Sequence, residues 1–237
     1  DQEQVADLVD KYGFLAVPVV DADNRLLGVV TVDDVIDVIE EETTEDIYKM
    51  AGSSAEEEES ESVLHVVRHR LPWLLVCLIG TQFSSLVLAL ASRDIGLYAQ
   101  LSIFTAAIMA MAGNTSLQSS TTTVRRLALD TLPRSRFVRH ILRETTVALL
   151  MGLVCGGAAS LLALVFHHNP MIGLALGPAM AIGMAAASLL GAAMPMVLDL
   201  ASVDPAVASG PLVSTINDSL ALTLYFGVAT AILVLVA

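Results

Sequence analysis

The chain has 237 residues, 55% of them hydrophobic and 16% charged, with a formal net charge of −13. A soluble domain rarely has this composition, and a net acidic chain is a poor partner for nucleic acid, whose phosphates need Lys and Arg. The charge is unevenly divided: residues 1–62 carry nineteen Asp/Glu against three Lys/Arg, and residues 63–237 carry six against nine. An acidic segment, unsuited to anionic lipid and suited to cations, therefore precedes an apolar one.

The opening DQEQVADLVD reads as the inside of a helix, so a piece of a longer protein is expected. Gln4–Tyr12 is helical, with Val5, Leu8 and Val9 on one face. Leu15–Val20 and Leu26–Val30 read as two strands joined by the turn residues 21–24. Thr31 caps a helix that runs to about Glu42. Acidic runs follow at 40–46 and 56–61, and Ser60–Arg70 reads as a helix leading into a membrane. Cys77 and Cys155 lie in apolar stretches without metal-ligand spacing and are expected to pack, with no disulfide.

Five apolar stretches come next, at about 71–91, 97–123, 138–166, 171–198 and 211–236. Each is long enough for the ~20 residues of a spanning helix. The second ends in a polar run, NTSLQSSTTT, which must face protein or water. Arg68 and Arg70 precede the first span, and Arg125, Arg126, Arg134, Arg136, Arg139 and Arg143 separate the second from the third. Positive charge stays inside, so the N-terminal module is expected in the cytoplasm and the C-terminus outside. The loop before the fifth span, with Asp199 and Asp204 and no basic residue, is then a negative vestibule on the cytoplasmic side.

The sequence contains no Ser/His/Asp constellation, HExxH, phosphate-binding loop or dinucleotide loop, so an enzyme is not expected. Polar residues within the spans carry the chemistry instead. Asp218 is the one charge between Pro211 and Val236, and a carboxylate inside a membrane faces a partner or a water-filled cavity. Ser214 and Asn217 lie beside it, and Asn114 and Gln118 share a helix face four residues apart. Oxygen ligands of this kind suit a hard cation such as Mg²⁺ or Ca²⁺. Gly152–Gly156 and Gly173–Gly177 have the spacing of close helix contact.

Asn24–Asp34 (NRLLGVVTVDD) resembles the end of a CBS motif, carried by Gly28, Thr31 and Asp34. Such motifs work in pairs and often bind adenine nucleotides, so a nucleotide is expected only with a complete pair. The whole chain resembles the MgtE magnesium channel family. Asp204–Asp218 (DPAVASGPLVSTIND) is similar to that family's last-span pattern, Ala112–Ser119 (AGNTSLQS) to its GGN-x-x-x-Q signature, and Thr31–Lys49 to its CBS exit. Ala112, Ser116 and Ala221 stand where the family often has glycine.

The resemblance implies a mainly α fold: a partial α/β CBS motif (1–48), an acidic linker and connecting helix (49–70), and a five-helix polytopic membrane domain (71–237). It implies a homodimer in the inner membrane whose pore passes Mg²⁺ inward along Asp218, Ser214 and Asp204. Asp34, Asp37, Glu42, Glu45 and Asp46 match acidic positions that bind regulatory Mg²⁺. The rival expectations are transport of Mn²⁺ or Co²⁺, or a non-conducting, membrane-anchored Mg²⁺ sensor.

Overall fold

The structure, a computed structural model, describes residues 2–54, 63–91, 101–129, 131–167 and 170–236. Its N-terminal module has the expected order of helix, strand, strand, helix: α1 (Gln2–Tyr12), β1 (Ala16–Val20), β2 (Leu26–Thr31) and α2 (Val32–Ala51). The strands pair antiparallel, with Ala16 opposite Thr31 and an irregularity between Val19 and Val20. Asp21 closes their turn, its Oδ1 accepting from the backbone N–H groups of Asp23 and Arg25 at 2.9 and 2.8 Å. Asn24 sits there at φ 59°, a left-handed conformation that Asn tolerates. Ala6, Val9 and Val35 form the module's small core.

Thr31 caps α2. Its backbone N–H and its hydroxyl both donate to Asp34 Oδ2, at 3.1 and 2.6 Å. These bonds hold the Asp34 carboxyl below the ordinary carboxylate pKa. The helix does not stop near Glu42. It continues through the first acidic run to Ala51, where Gly52 at φ 72° ends it with its N–H on the Lys49 carbonyl. Glu and Lys are good helix formers, and Lys49 bonds Glu45 one turn earlier at 2.6 Å, so the run propagates the helix. The second acidic run, 56–61, lies outside the described residues.

Among the described residues five long helices follow: α3 (Val63–Ala91), α4 (Thr105–Ala128), α5 (Phe137–His167), α6 (Pro170–Leu200) and α7 (Pro211–Val236). The helix leading into the membrane and the first expected span are one continuous helix, α3. Four of the five, α3, α5, α6 and α7, are long and apolar enough to cross a membrane. The difference from the expected five is α4. Its C-terminal half, from Asn114, is mostly polar, and residues 92–100, which include the start of the expected second span, lie outside the described residues.

The centre of this domain is α6, which packs against α4, α5 and α7. Small residues permit that. A Cβ on Gly152 would sit 2.7 Å from the Ala181 Cα, and one on Gly156 would collide with the Gly177 carbonyl. A Cβ on Gly191 would strike the Ser116 backbone of α4. The glycines thus bring α6 backbone-close to two neighbours, as expected of small residues between membrane helices. Larger side chains fill the rest of the core: Ile108, Ile172, Leu176, Leu222 and Tyr225 are buried in one cluster, and Cys155 lies against it. The buried Tyr225 hydroxyl donates to the Leu101 carbonyl at 2.8 Å, fixing the segment before α4 to α7.

Candidate functional site

The segment from Asp204 to Asp218 is built as a broken entry into α7. Asp204 caps a short 3-10 turn, Pro205–Ser209, its Oδ1 accepting from the Ala206 N–H at 2.8 Å. Gly210 follows in extended conformation and Pro211 opens α7, the helix position where a missing N–H costs nothing. Ser214 and Asp218 are then one turn apart on one face. Ser214 is exposed and Asp218 partly so. Asp218 has no hydrogen-bond or ion-pair partner among the described residues. The neighbouring face of α7 is tied to α3, where Ser219 Oγ meets Ser84 Oγ at 3.0 Å.

The other expected pore residues divide between two environments. Asn114 and Gln118 share an exposed face of α4. The opposite face of α4, Thr115, Ser116, Ser119, Ser120 and Thr123, is buried, with Ser119 Oγ 2.6 Å from Ser188 Oγ of α6. Here the polar run does what a polar half-span requires: it faces protein. Asn217 is fully buried in the protomer, and neither its Oδ1 nor its Nδ2 has a partner among the described residues. It lies next to Asp218 in sequence, and helical rotation turns it away from the Ser214–Asp218 face.

The acidic residues expected to bind a regulatory ion are likewise split. Asp34 is engaged in the cap at the start of α2, and Asp37 is exposed on its second turn. Glu42, Glu45 and Asp46 gather at the other end of α2, against the membrane domain. Glu42 and Asp46 line a cavity of about 200 Å³ whose far wall includes Arg125 of α4. Burial and the nearby Asp204 charge push the Asp46 carboxyl above its ordinary pKa, with Lys49 acting in the opposite sense. Among the described residues, no three His, Cys, Asp or Glu side chains converge closely enough to hold a metal ion.

Lys49 is the residue that sequence reasoning missed. Its Nζ lies 2.6 Å from Glu45 Oε1 and 2.7 Å from Asp204 Oδ2, so it joins α2 to the turn that precedes α7. Burial lowers its pKa, but the hydrogen bonds to Asp204 and Glu45 outweigh that and raise it above the ordinary lysine value. The available signal was its isolation: Lys49 is the one basic residue between Arg25 and Arg68, His65 aside. Asp199 is also approached by a cation, Arg134 Nη2 at 3.8 Å. The expected negative vestibule is therefore partly neutralised by side chains from distant segments.

Comparison with known proteins bears on this arrangement. The family MgtE, described as "Divalent cation transporter", matches residues 105–228, and the CBS domain matches residues 1–41. The chain is 41% identical over 231 residues to the magnesium transporter MgtE of Enterococcus faecalis, covering 97% of this chain and 51% of that protein. It is 35% identical to that of Bacillus subtilis over 98% of this chain and 51% of the relative. Identity to that of Thermus thermophilus is 34%, over 98% and 52%. The chain thus spans about half the length of the curated relatives it matches. The matched region runs from α4 into α7 and includes Asp204, Ser214 and Asp218, and its description agrees with the expectation that the chain is not an enzyme. With four helices among the described residues apolar enough to cross a bilayer and a family match over its membrane domain, this chain is a multi-pass membrane protein and belongs to the MgtE family of divalent cation transporters.

Proposed function

We propose that the chain forms the ion-conducting part of a magnesium transporter, with Asp218 as the carboxylate that attracts the ion inside the membrane. The observation that carries this reading is the combination of exposure and isolation at Asp218. A partly exposed carboxylate without a partner among the described residues, one turn from the exposed Ser214, cannot face lipid chains. Asn114 and Gln118 present a second exposed polar face on α4. Water and a second protomer are the coverings such faces need, so the working unit is a homodimer with the polar faces turned to a shared aqueous path. In that unit α4 is the fifth crossing, its polar half shielded by protein. The polar faces and the loss of lipid contact both favour this assembly.

Mg²⁺ is the cargo. It sheds water reluctantly, so a carboxylate and neutral oxygens that act through its water shell suit it. Weak, outer-shell binding also lets the ion leave. A membrane potential contributes about 2.3 kcal/mol per charge per 100 mV, twice that for a divalent ion, so inward flow needs no phosphate-driven motor. The N-terminal module is cytoplasmic and the C-terminus external by the distribution of arginine, in the inner membrane that the family resemblance implies.

Regulation belongs to the far end of α2. The donor set of Glu42, Glu45, Asp46 and Asp204 fits a hard cation in chemistry. In this structure the Lys49 ammonium already stands between Glu45 and Asp204. Cytosolic Mg²⁺ would add the charge needed to hold Glu42 and Asp46 together against the membrane domain, and its loss would let them repel. A nucleotide would require the second CBS motif of a longer chain.

The test is Mg²⁺ uptake into proteoliposomes by the wild-type chain, Asp218→Asn and Asp218→Ala, with Mn²⁺ and Co²⁺ as competitors. Wild-type uptake that falls at least tenfold in both variants is expected. Equal uptake in all three would remove Asp218 from the path. Stronger uptake of Mn²⁺ or Co²⁺ than of Mg²⁺ would change the cargo while keeping the site. Mg²⁺ binding without any uptake would favour a sensor.

A further inference from the structure

Away from the proposed ion path, the connection between α4 and α5 borders a cavity of about 380 Å³ lined by Arg126, Arg136, Arg139, Arg143, His140 and Leu132 among others. No carboxylate lines it among the described residues. Arg136, Arg139 and Arg143 have no ion-pair partner among the described residues. Membrane orientation alone explains why arginines lie at this end. It does not explain why four of them converge on one cavity, where like charges repel.

The convergence is built into the fold. Arg139 and Arg143 lie one turn apart at the start of α5 and Arg136 in the 3-10 turn just before it, while Arg126 reaches the cavity from α4. Its position is held through the buried His140, which is 3% exposed. Thr123 donates its one hydroxyl proton to the Ser119 carbonyl at 2.7 Å, so its oxygen accepts from His140 Nε2–H at 3.0 Å. That leaves His140 Nδ1 as the acceptor for Arg126 Nη1 at 3.3 Å. His140 thereby aims a guanidinium at the cavity.

The side of α5 next to this cavity is apolar and uncovered, with Val138 71% and Leu142 62% exposed. Guanidinium groups recognise phosphate oxygens through paired N–H donors. Basic pockets between membrane helices at the cytoplasmic side bind lipid head groups. We propose that this cavity is a phosphate-binding site, filled by the head group of an anionic phospholipid whose chains lie along the Val138–Leu142 side of α5. The site shares no residue with the ion path, so it stands or falls separately from the transport reading.

The experiment uses the full chain in detergent micelles, titrated with short-chain phosphatidylglycerol, short-chain phosphatidylcholine or inorganic phosphate, with binding read by native mass spectrometry. The variants are Arg139→Gln/Arg143→Gln and, as a control of equal charge change on α3, Arg68→Gln/Arg70→Gln. Phosphatidylglycerol is expected to bind at least tenfold more tightly than phosphatidylcholine, to lose at least tenfold in the α5 variant and to be unchanged in the control. Equal losses in both variants, or no preference over phosphatidylcholine, would overturn the site. Inorganic phosphate that binds as tightly as the lipid, displaces it and is lost in the α5 variant would keep the site and refute the lipid as its source. If circular dichroism shows the double variant unfolded, the exposed Arg136→Gln replaces it, with a several-fold loss expected and an unchanged affinity counting against the proposal.

Discussion

Replacing Lys49 by Gln keeps much of the side chain's length and removes the cation that joins α2 to the Asp204 turn. The carboxylates of Glu45, Asp46 and Asp204 would then face one another without it. An exposed salt bridge contributes about 0.2–1 kcal/mol, and a sheltered hydrogen bond to a charged group about 1.5–3 kcal/mol. The Lys49 and Asp204 side chains, 31% and 34% exposed, lie between these cases, which places the Asp204 contact at about 1–2 kcal/mol. Hydrogen–deuterium exchange of the last turns of α2 and of the Pro205–Ser209 turn reads that quantity as local opening. Lys49→Gln should speed exchange there about tenfold, since 1.4 kcal/mol is a factor of about ten. Asp204→Asn should do the same, and the double variant should be little worse than either, with a coupling of about 1 kcal/mol. A coupling below about 0.3 kcal/mol would show that the bridge does not hold α2 in place. Added Mg²⁺ should slow exchange more in Lys49→Gln than in the wild type, because the carboxylates have lost their own cation.

Two further outcomes are expected. Gly156→Ala places a methyl group against the Gly177 backbone and should destabilise the α5–α6 pair by about 1–3 kcal/mol; Gly157→Ala meets nothing within 4 Å and should be neutral or stabilise by about 0.5–1 kcal/mol. Thermal unfolding of the two variants side by side checks this, and equal shifts would count against backbone-close packing. The pKa of Asp46 is raised in the folded state by burial and by Asp204, so the folded chain binds that proton more readily than the unfolded one. The contribution is then fully present below the ordinary carboxylate pKa and is lost as pH rises through the raised value. Asp46→Asn should therefore raise the stability of α2 docking at neutral pH in the absence of Mg²⁺ and flatten its pH dependence above the ordinary carboxylate pKa. A steeper pH dependence in the variant would refute the assignment.

Much of the architecture was legible because it depends on local pattern. Apolar length marked out the long helices, the 21–24 turn chemistry marked the hairpin, and Thr31 marked the start of α2. Asp218 stood out because charge is costly inside an apolar stretch. The extent of α2 was less legible: the helix was expected to end near Glu42, and Lys49 with its Glu45 partner carries it through the first acidic run. The polar end of the second stretch was expected to face protein or water, but which of its residues are covered by protein was set by the packing of α6. Ser119 meets Ser188, while Asn114 and Gln118 remain exposed.

Composition, spacing and apolar length by themselves determined that this chain enters a membrane, where its charge divides and which carboxylate is out of place there. Only the tertiary structure decided that Lys49 meets Asp204 across 155 residues, that Asn217 turns inward from Asp218, and that four arginines share one cavity. The physical reason is that periodicity and solvation cost act on near neighbours and on segments as wholes, whereas an ion pair or a cavity depends on which distant helices pack together.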